Sequence, residues 1–187
     1  MPTRAVQAAG VGDGRGRTWG RRGQTPVVKV TGSSNKRVSL AALMCIRPGQ
    51  RPRLIYRVHH ARQRSADRRK GFTEADYAQL LDAAHQQLAG PLVLVWDNLN
   101  THVSGVMAEL IATRDWLMVY QLPAYAHELN PVESLWSHLK RSLANLAKRN
   151  LAQLTALVKT RLRCMQYRPG LLGGFLASTG LDLTPFL

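Results

Sequence analysis

Acidic residues are scarce in this chain. Only 11 Asp and Glu stand against 26 Lys and Arg in 187 residues, a formal net charge of +15. Self-repulsion on that scale is costly unless something anionic shares the surface, and nucleic acid is the commonest such partner. Cysteine is scarce too. Two residues, Cys45 and Cys164, lie far apart, the first in an apolar stretch. That excludes a disulfide framework, no Cys/His spacing suggests zinc, and both are expected as buried free thiols. Long apolar runs are missing. Runs such as Leu40–Ile46 and Pro91–Trp96 are far too short to span a bilayer. The segment Met1–Arg22 carries Arg4, Arg15, Arg17, Arg21 and Arg22 without the compact apolar stretch of a signal peptide. The expected location is therefore the cytoplasm, bacterial in style, with no membrane partner. What remains is 45% hydrophobic, enough for one domain with a real core.

Residues 1–26 are rich in Gly and Arg and read as a basic, irregular segment. Three β-like runs follow: Val27–Val30, Val38–Ile46 and Leu54–Val58. Turn-rich Gly32–Asn35 and Pro48–Pro52 separate them. A basic connection then holds Arg62, Arg64, Arg68, Arg69 and Lys70. Thr73 opens a helix with Asp76 placed for a capping box, and Tyr77, Leu80, Leu81, Ala84 and Leu88 recur at helical spacing. Leu92–Trp96 reads as a buried strand that ends directly on Asp97. A helix over 104–113 and a strand over Trp116–Leu122 are expected next. Asn130 caps a further helix with Pro131 in its first turn, and a last helix spans Leu151–Met165. The tail, Tyr167–Leu187, shows no clear period. The order predicts an α/β fold with a sheet between helices.

Two carboxylates are candidates for chemistry. Ligands of open α/β sheets sit beyond the C-terminal strand ends, where Asp97 stands. On spacing alone it reads better as a cap of the turn Asn98–His102. Glu133 lies three residues after Asn130, so it also fits a capping box. Together they suggest an oxygen-rich site for Mg²⁺, which shares its coordination with substrate phosphates. Such ions activate a water or a 3′-hydroxyl against a phosphodiester, and a basic surface would hold the DNA around them.

The residues Val95–His102, Gln121–Tyr125 and Leu129–Lys140 carry a resemblance. They resemble the catalytic domain of DDE-superfamily transposases of the mariner-like insertion-sequence (630-type) group. The match is sharpest over 90–147 and extends more loosely over 17–181. The resemblance implies a ribonuclease H-like mixed sheet flanked by helices and bound Mg²⁺ or Mn²⁺. It also implies DNA partners (transposon ends and target) and possible action as a homodimer. It makes Asp97 the second acid and Glu133 the third, with 35 residues between them. Asn98 and His102 are expected to position a water or phosphate, or to pack a local turn. Tyr125 is expected as a loop anchor in the core, with stacking on a base as the alternative. Trp136 is expected in the core. Lys140 and the cluster Arg62, Arg64, Arg68, Arg69 and Lys70 are expected either on solvated surface or on DNA.

The chain departs from the family pattern at its first acid. Gln7-Ala8-Ala9-Gly10 stands about where an Asp-Glu-x-Gly strand end belongs, and the nearest acid is Asp13. Only Thr3–Ala9 offers a first strand, so that strand is expected to be weak or missing. His127 stands where the family usually shows Pro. The expected organisation is a basic segment at 1–26, a catalytic domain at 27–166 and a tail at 167–187. It would be truncated at the N-terminus, with no helix-turn-helix domain. The expected function is a metal-dependent transposase catalytic domain, expected to be inactive alone. The alternatives are a non-catalytic remnant that binds DNA nonspecifically, or an unrelated basic nucleic-acid-binding domain.

Overall fold

A computed structural model of the chain describes residues 2–7, 38–47, 49–60, 71–143 and 151–180. The expected strand Val27–Val30, Asp13 and the cluster from Arg62 to Lys70 lie outside the described residues. The strands are β1 (Pro2–Gln7), β2 (Val38–Cys45), β3 (Arg53–His60), β4 (Leu92–Trp96) and β5 (Leu117–Gln121). The helices are α1 (Glu74–Leu88), α2 (Gly105–Ala112), α3 (Pro131–Leu143), α4 (Leu151–Gln166) and α5 (Pro169–Ala177). A single 3-10 turn, His127–Leu129, precedes α3.

Strands β1, β2 and β3 form an antiparallel set in that order, and β4 pairs with β5 in parallel. β1 also runs beside β4. Its register against β2 shifts between Thr3 and Val6. A bulge of this kind suits a strand with so few apolar residues to pin its pairing.

β2 organises the core because it is buried on both faces. Its side chains alternate with period two. Val38, Leu40, Ala42 and Met44 join a cluster with Val132, Leu135, Trp136 and Leu139 of α3, Val158 and Leu162 of α4, and Leu172 of α5. Ala41, Leu43 and Cys45 face the other way, toward Tyr77, Leu80 and Leu81 of α1, Leu94 and Trp96 of β4, and Met107 of α2. Two helical layers thus pack on opposite faces of one strand, which makes β2 apolar at every position but Ser39.

Local signals set the elements within these layers. The Thr73 hydroxyl accepts from the Asp76 amide at 3.3 Å, and the Asp76 carboxylate accepts from the Thr73 amide at 2.9 Å. That reciprocal pair is the expected capping box of α1. At the other end of α1, Arg47 donates to the Leu88 carbonyl at 2.7 Å and Arg53 to that of Gln87 at 3.0 Å, so cations cap the negative end of the helix dipole. The stretch expected as an aperiodic tail is helical over Pro169–Ala177. Leu172, Phe175 and Leu176 of this helix are buried. Gly170, Gly173 and Gly174 dilute the apolar pattern and weaken helix propensity, which hid it. Among the described residues no helix is long and apolar enough to cross a membrane.

Both cysteines are free, but only one is buried as expected. Cys164 is exposed, because it falls on the outer face of α4. Cys45 is buried, and its desolvation raises the thiol pKa by disfavouring the thiolate. At neutral pH a thiol reagent such as 5,5′-dithiobis(2-nitrobenzoate) should therefore label Cys164 in the folded chain. Cys45 should react only after unfolding; equal rates for both in the native protein would contradict this packing.

Candidate active site

Asp97 is delivered by β4. Leu94 and Trp96 point into the core, so the residue after the strand leaves the sheet at its C-terminal end. The ladder to β5 continues one step further, with the Leu122 amide donating to the Trp96 carbonyl at 2.7 Å. The Asn98 amide nitrogen donates to the Leu122 carbonyl at 3.0 Å. These two bonds pin the Asp97 turn to the loop that follows β5.

The turn-cap reading of Asp97 holds on one of its oxygens. Its Oδ1 accepts from the Leu99 amide at 3.3 Å, a local turn bond, and from His102 Nδ1 at 2.9 Å. Among the described residues no hydrogen bond engages Oδ2, and the side chain is 28% exposed. One oxygen is fixed by the fold and the other is left for the cleft.

His102 does not face the cleft, contrary to a direct role on water or phosphate. It is only 2% exposed. Its ring lies parallel to Trp96, with centroids 4.2 Å apart and planes 3° apart, and Tyr77 meets it edge-on at 4.7 Å. The Asp97 carbonyl, at 3.2 Å, is a second acceptor on Nδ1. With two acceptors facing it, Nδ1 carries the proton. His102 therefore orients Asp97 from beneath. Trp96 and Tyr77 were not foreseen as parts of this support; an aromatic residue directly before the acid was the available signal.

Glu133 comes from the opposite layer. Asn130 caps α3 by accepting from the Val132 amide at 3.2 Å through Oδ1, and the Glu133 amide donates to the Asn130 carbonyl at 3.0 Å. The reciprocal bond of a capping box is missing: no hydrogen bond joins the Glu133 carboxylate to the Asn130 amide among the described residues. The cap is complete without that carboxylate. Val132, Leu135 and Trp136 are buried around it, so the first turn of α3 is held firmly while Glu133 remains partly exposed.

Asp97 and Glu133 line one open cleft of about 390 Å³ together with Asn98, Asn100, Leu122, Pro123, Tyr125 and Asn130. Asn100 was not singled out from sequence; its place two residues after Asn98 was the available hint. Lys140 is exposed on α3 and is not part of the cleft lining. Tyr125, expected as a core anchor, is 94% exposed at the cleft. Among the described residues no three His, Cys, Asp or Glu side chains gather as a metal cluster.

Comparison with known proteins gives this geometry its context. The family model described as DDE superfamily endonuclease matches residues 8–157. The chain belongs to the DDE superfamily endonuclease family. Comparison with curated proteins returned no match. Among solved structures, this DDE-family chain is similar to a Mos1 mariner paired-end complex with Mn, at TM-score 0.59 and 16% identity over 97% of this chain and 56% of that one. It is also similar to the Mos1 transposase catalytic domain with raltegravir and Mn, at TM-score 0.52 and 17% identity over 79% of this chain and 78% of that one. The likeness is one of fold, a ribonuclease H-like α/β architecture. The chain spans 56% of the length of the chain in the paired-end complex. Membership of this family removes the reading as an unrelated basic nucleic-acid-binding domain.

The stacked support of Asp97 has a measurable signature. His102→Phe should keep the ring contacts and lose only the donated bonds, at a cost of about 1–2 kcal/mol. His102→Ala should open a cavity beneath Trp96 and cost about 3 kcal/mol or more. Urea unfolding would measure both, and equal losses would mean that ring packing contributes nothing.

Proposed function

We propose that this chain is the catalytic portion of a DNA transposase that cleaves and joins phosphodiesters with Mg²⁺ or Mn²⁺. The observation that carries this reading is the placement of Asp97 and Glu133 in one cleft, each delivered by a different layer of the fold. The polar groups of the cleft are carboxylates and the side-chain amides of Asn98, Asn100 and Asn130. Hard, oxygen-liganded divalent cations fit such a set. Asp97 and Glu133 would hold the ion, which when bound supplies Lewis-acid polarisation of the phosphodiester and eases deprotonation of the attacking hydroxyl.

The rest of the work falls to the chain itself. His102 holds one Asp97 oxygen and leaves the other without a hydrogen bond among the described residues. Asn98 locks the Asp97 turn to the Leu122 loop. Asn130 caps α3 and thereby leaves Glu133 available. The excess of 26 Lys and Arg over 11 Asp and Glu attracts the phosphate backbone, and Lys140 with Arg62, Arg64, Arg68, Arg69 and Lys70 is assigned to that contact. DNA, as transposon ends and target, is the proposed partner, and a dimer acting on paired ends is the proposed assembly.

A second reading, DNA binding without cleavage, is favoured by the sequence of β1. Pro2–Gln7 runs beside β4 yet contains no Asp or Glu. Two carboxylates hold a pair of ions less well than three, so cleavage by this 187-residue chain is expected to be feeble.

Nicking of supercoiled plasmid in Mn²⁺ separates the readings. Asp97→Asn and Glu133→Gln should each reduce nicking to background while leaving DNA binding intact. His102→Phe should lower Mn²⁺ affinity by about 10- to 100-fold, as for other residues that orient a ligand. Nicking that survives both carboxylate substitutions would defeat the assignment. Salt-sensitive binding with no nicking by the wild type would favour the second reading.

A further inference from the structure

Tyr125 is the most exposed of the described large hydrophobic side chains, at 94%. Its backbone is also unusual, with φ of 66°. It is the third residue of the turn Pro123–Ala126, which the Ala126 amide closes by donating to the Pro123 carbonyl at 3.2 Å. A positive φ at that place marks a type II turn, where glycine or asparagine is the usual occupant. A tyrosine there meets steric strain that glycine avoids. No contact of the ring itself offsets that strain among the described residues. The ring makes no aromatic contact and no hydrogen bond, and its neighbours Ala124 and Ala126 are too small to cover it. The fold therefore holds an aromatic ring bare in solvent at the rim of the cleft that contains Asp97 and Glu133.

We propose that Tyr125 is a nucleobase-stacking residue, taking an unstacked base of the DNA strand whose phosphodiester lies at the two carboxylates. The proposal rests on the phosphodiester reading above. Every base has a flat face that stacks on an aromatic ring, so the contact tolerates any sequence. It does require a base outside the duplex, at an unpaired end or flipped from the helix. A rigid turn suits that task, because a backbone fixed in advance has little freedom to lose when the base arrives.

The test uses the full chain and a fluorescein-labelled duplex with a short single-stranded 3′ overhang. Ca²⁺ replaces Mg²⁺, so that binding is read apart from cleavage by fluorescence anisotropy. Tyr125→Ala should weaken binding roughly tenfold, the size of one base stacked on an aromatic side chain. Tyr125→Phe and Tyr125→Trp should bind as the wild type does, since stacking needs the ring and not the hydroxyl. The defect of Tyr125→Ala should disappear when the overhang is abasic, and on a blunt duplex. If Tyr125→Ala binds the overhang as tightly as the wild type, or if Tyr125→Phe falls as far as Tyr125→Ala, stacking is overturned and the phosphodiester reading stands. A wild-type chain that binds none of these DNAs overturns both.

Discussion

The two-sided burial of β2 is the constraint on which the rest of this structure depends. Every residue from Val38 to Cys45 is buried, and alternate side chains serve separate clusters. A helical layer on one face alone would leave half of this strand against water, at about 25 cal/mol for each Å² of apolar surface exposed. Both layers are therefore required, and the candidate site is assembled from both. Glu133 rides on α3 of one layer. Asp97 follows β4, whose Leu94 and Trp96 face the other. Their meeting in one cleft is a consequence of where β2 holds the two layers, and packing defects far from the cleft would alter their separation.

The parts of the fold legible in the sequence are those whose cause is local. Leu92–Trp96 is an apolar run of strand length and is the strand observed, but it is not buried as expected: Val93 is 67% exposed, because only Leu94 and Trp96 face the core. Thr73 and Asp76 form the capping box that their spacing announces. Trp136 continues the apolar side of α3 and is buried. The fifth helix was not legible, because three glycines interrupt an apolar face that only tertiary packing completes. Cys164 shows the converse. Cysteine is among the residue types most often buried, but the helical turn of α4 directs this one outward beside Arg161 and Arg163.

The site itself was legible in composition and obscure in detail, for a physical reason. A capping box and a metal-binding carboxylate can share one local signature. Thr73–Asp76 and Asn130–Glu133 have the same spacing, and only the first closes both bonds. The difference lies in how the cap is satisfied and where the helix start sits, and neither is encoded within four residues. His102 is similar. The sequence places it five residues after Asp97, but its burial against Trp96 and Tyr77 depends on α1 arriving from another part of the chain.

The segment from Leu122 to Asn130 is better regarded as a strut than as a tether. Its first residue is bonded to Trp96 and Asn98, on the Asp97 side of the cleft. Its middle is closed by the Ala126 amide on the Pro123 carbonyl and by the Leu129 amide on the Ala126 carbonyl. Its last residue is buried and caps α3 through Oδ1. Backbone groups tied at so many points restrict the φ and ψ freedom that a loop normally keeps. One short connection thus fixes three things relative to each other: the turn that presents Asp97, the helix start that presents Glu133, and the strained turn that presents Tyr125. A strained residue persists only where its surroundings over-determine it, and the bonds on either side of Tyr125 supply that. The strain and the rigidity belong to the same device: a connection stiff enough to set two carboxylates from opposite layers can also hold an aromatic ring in solvent beside them.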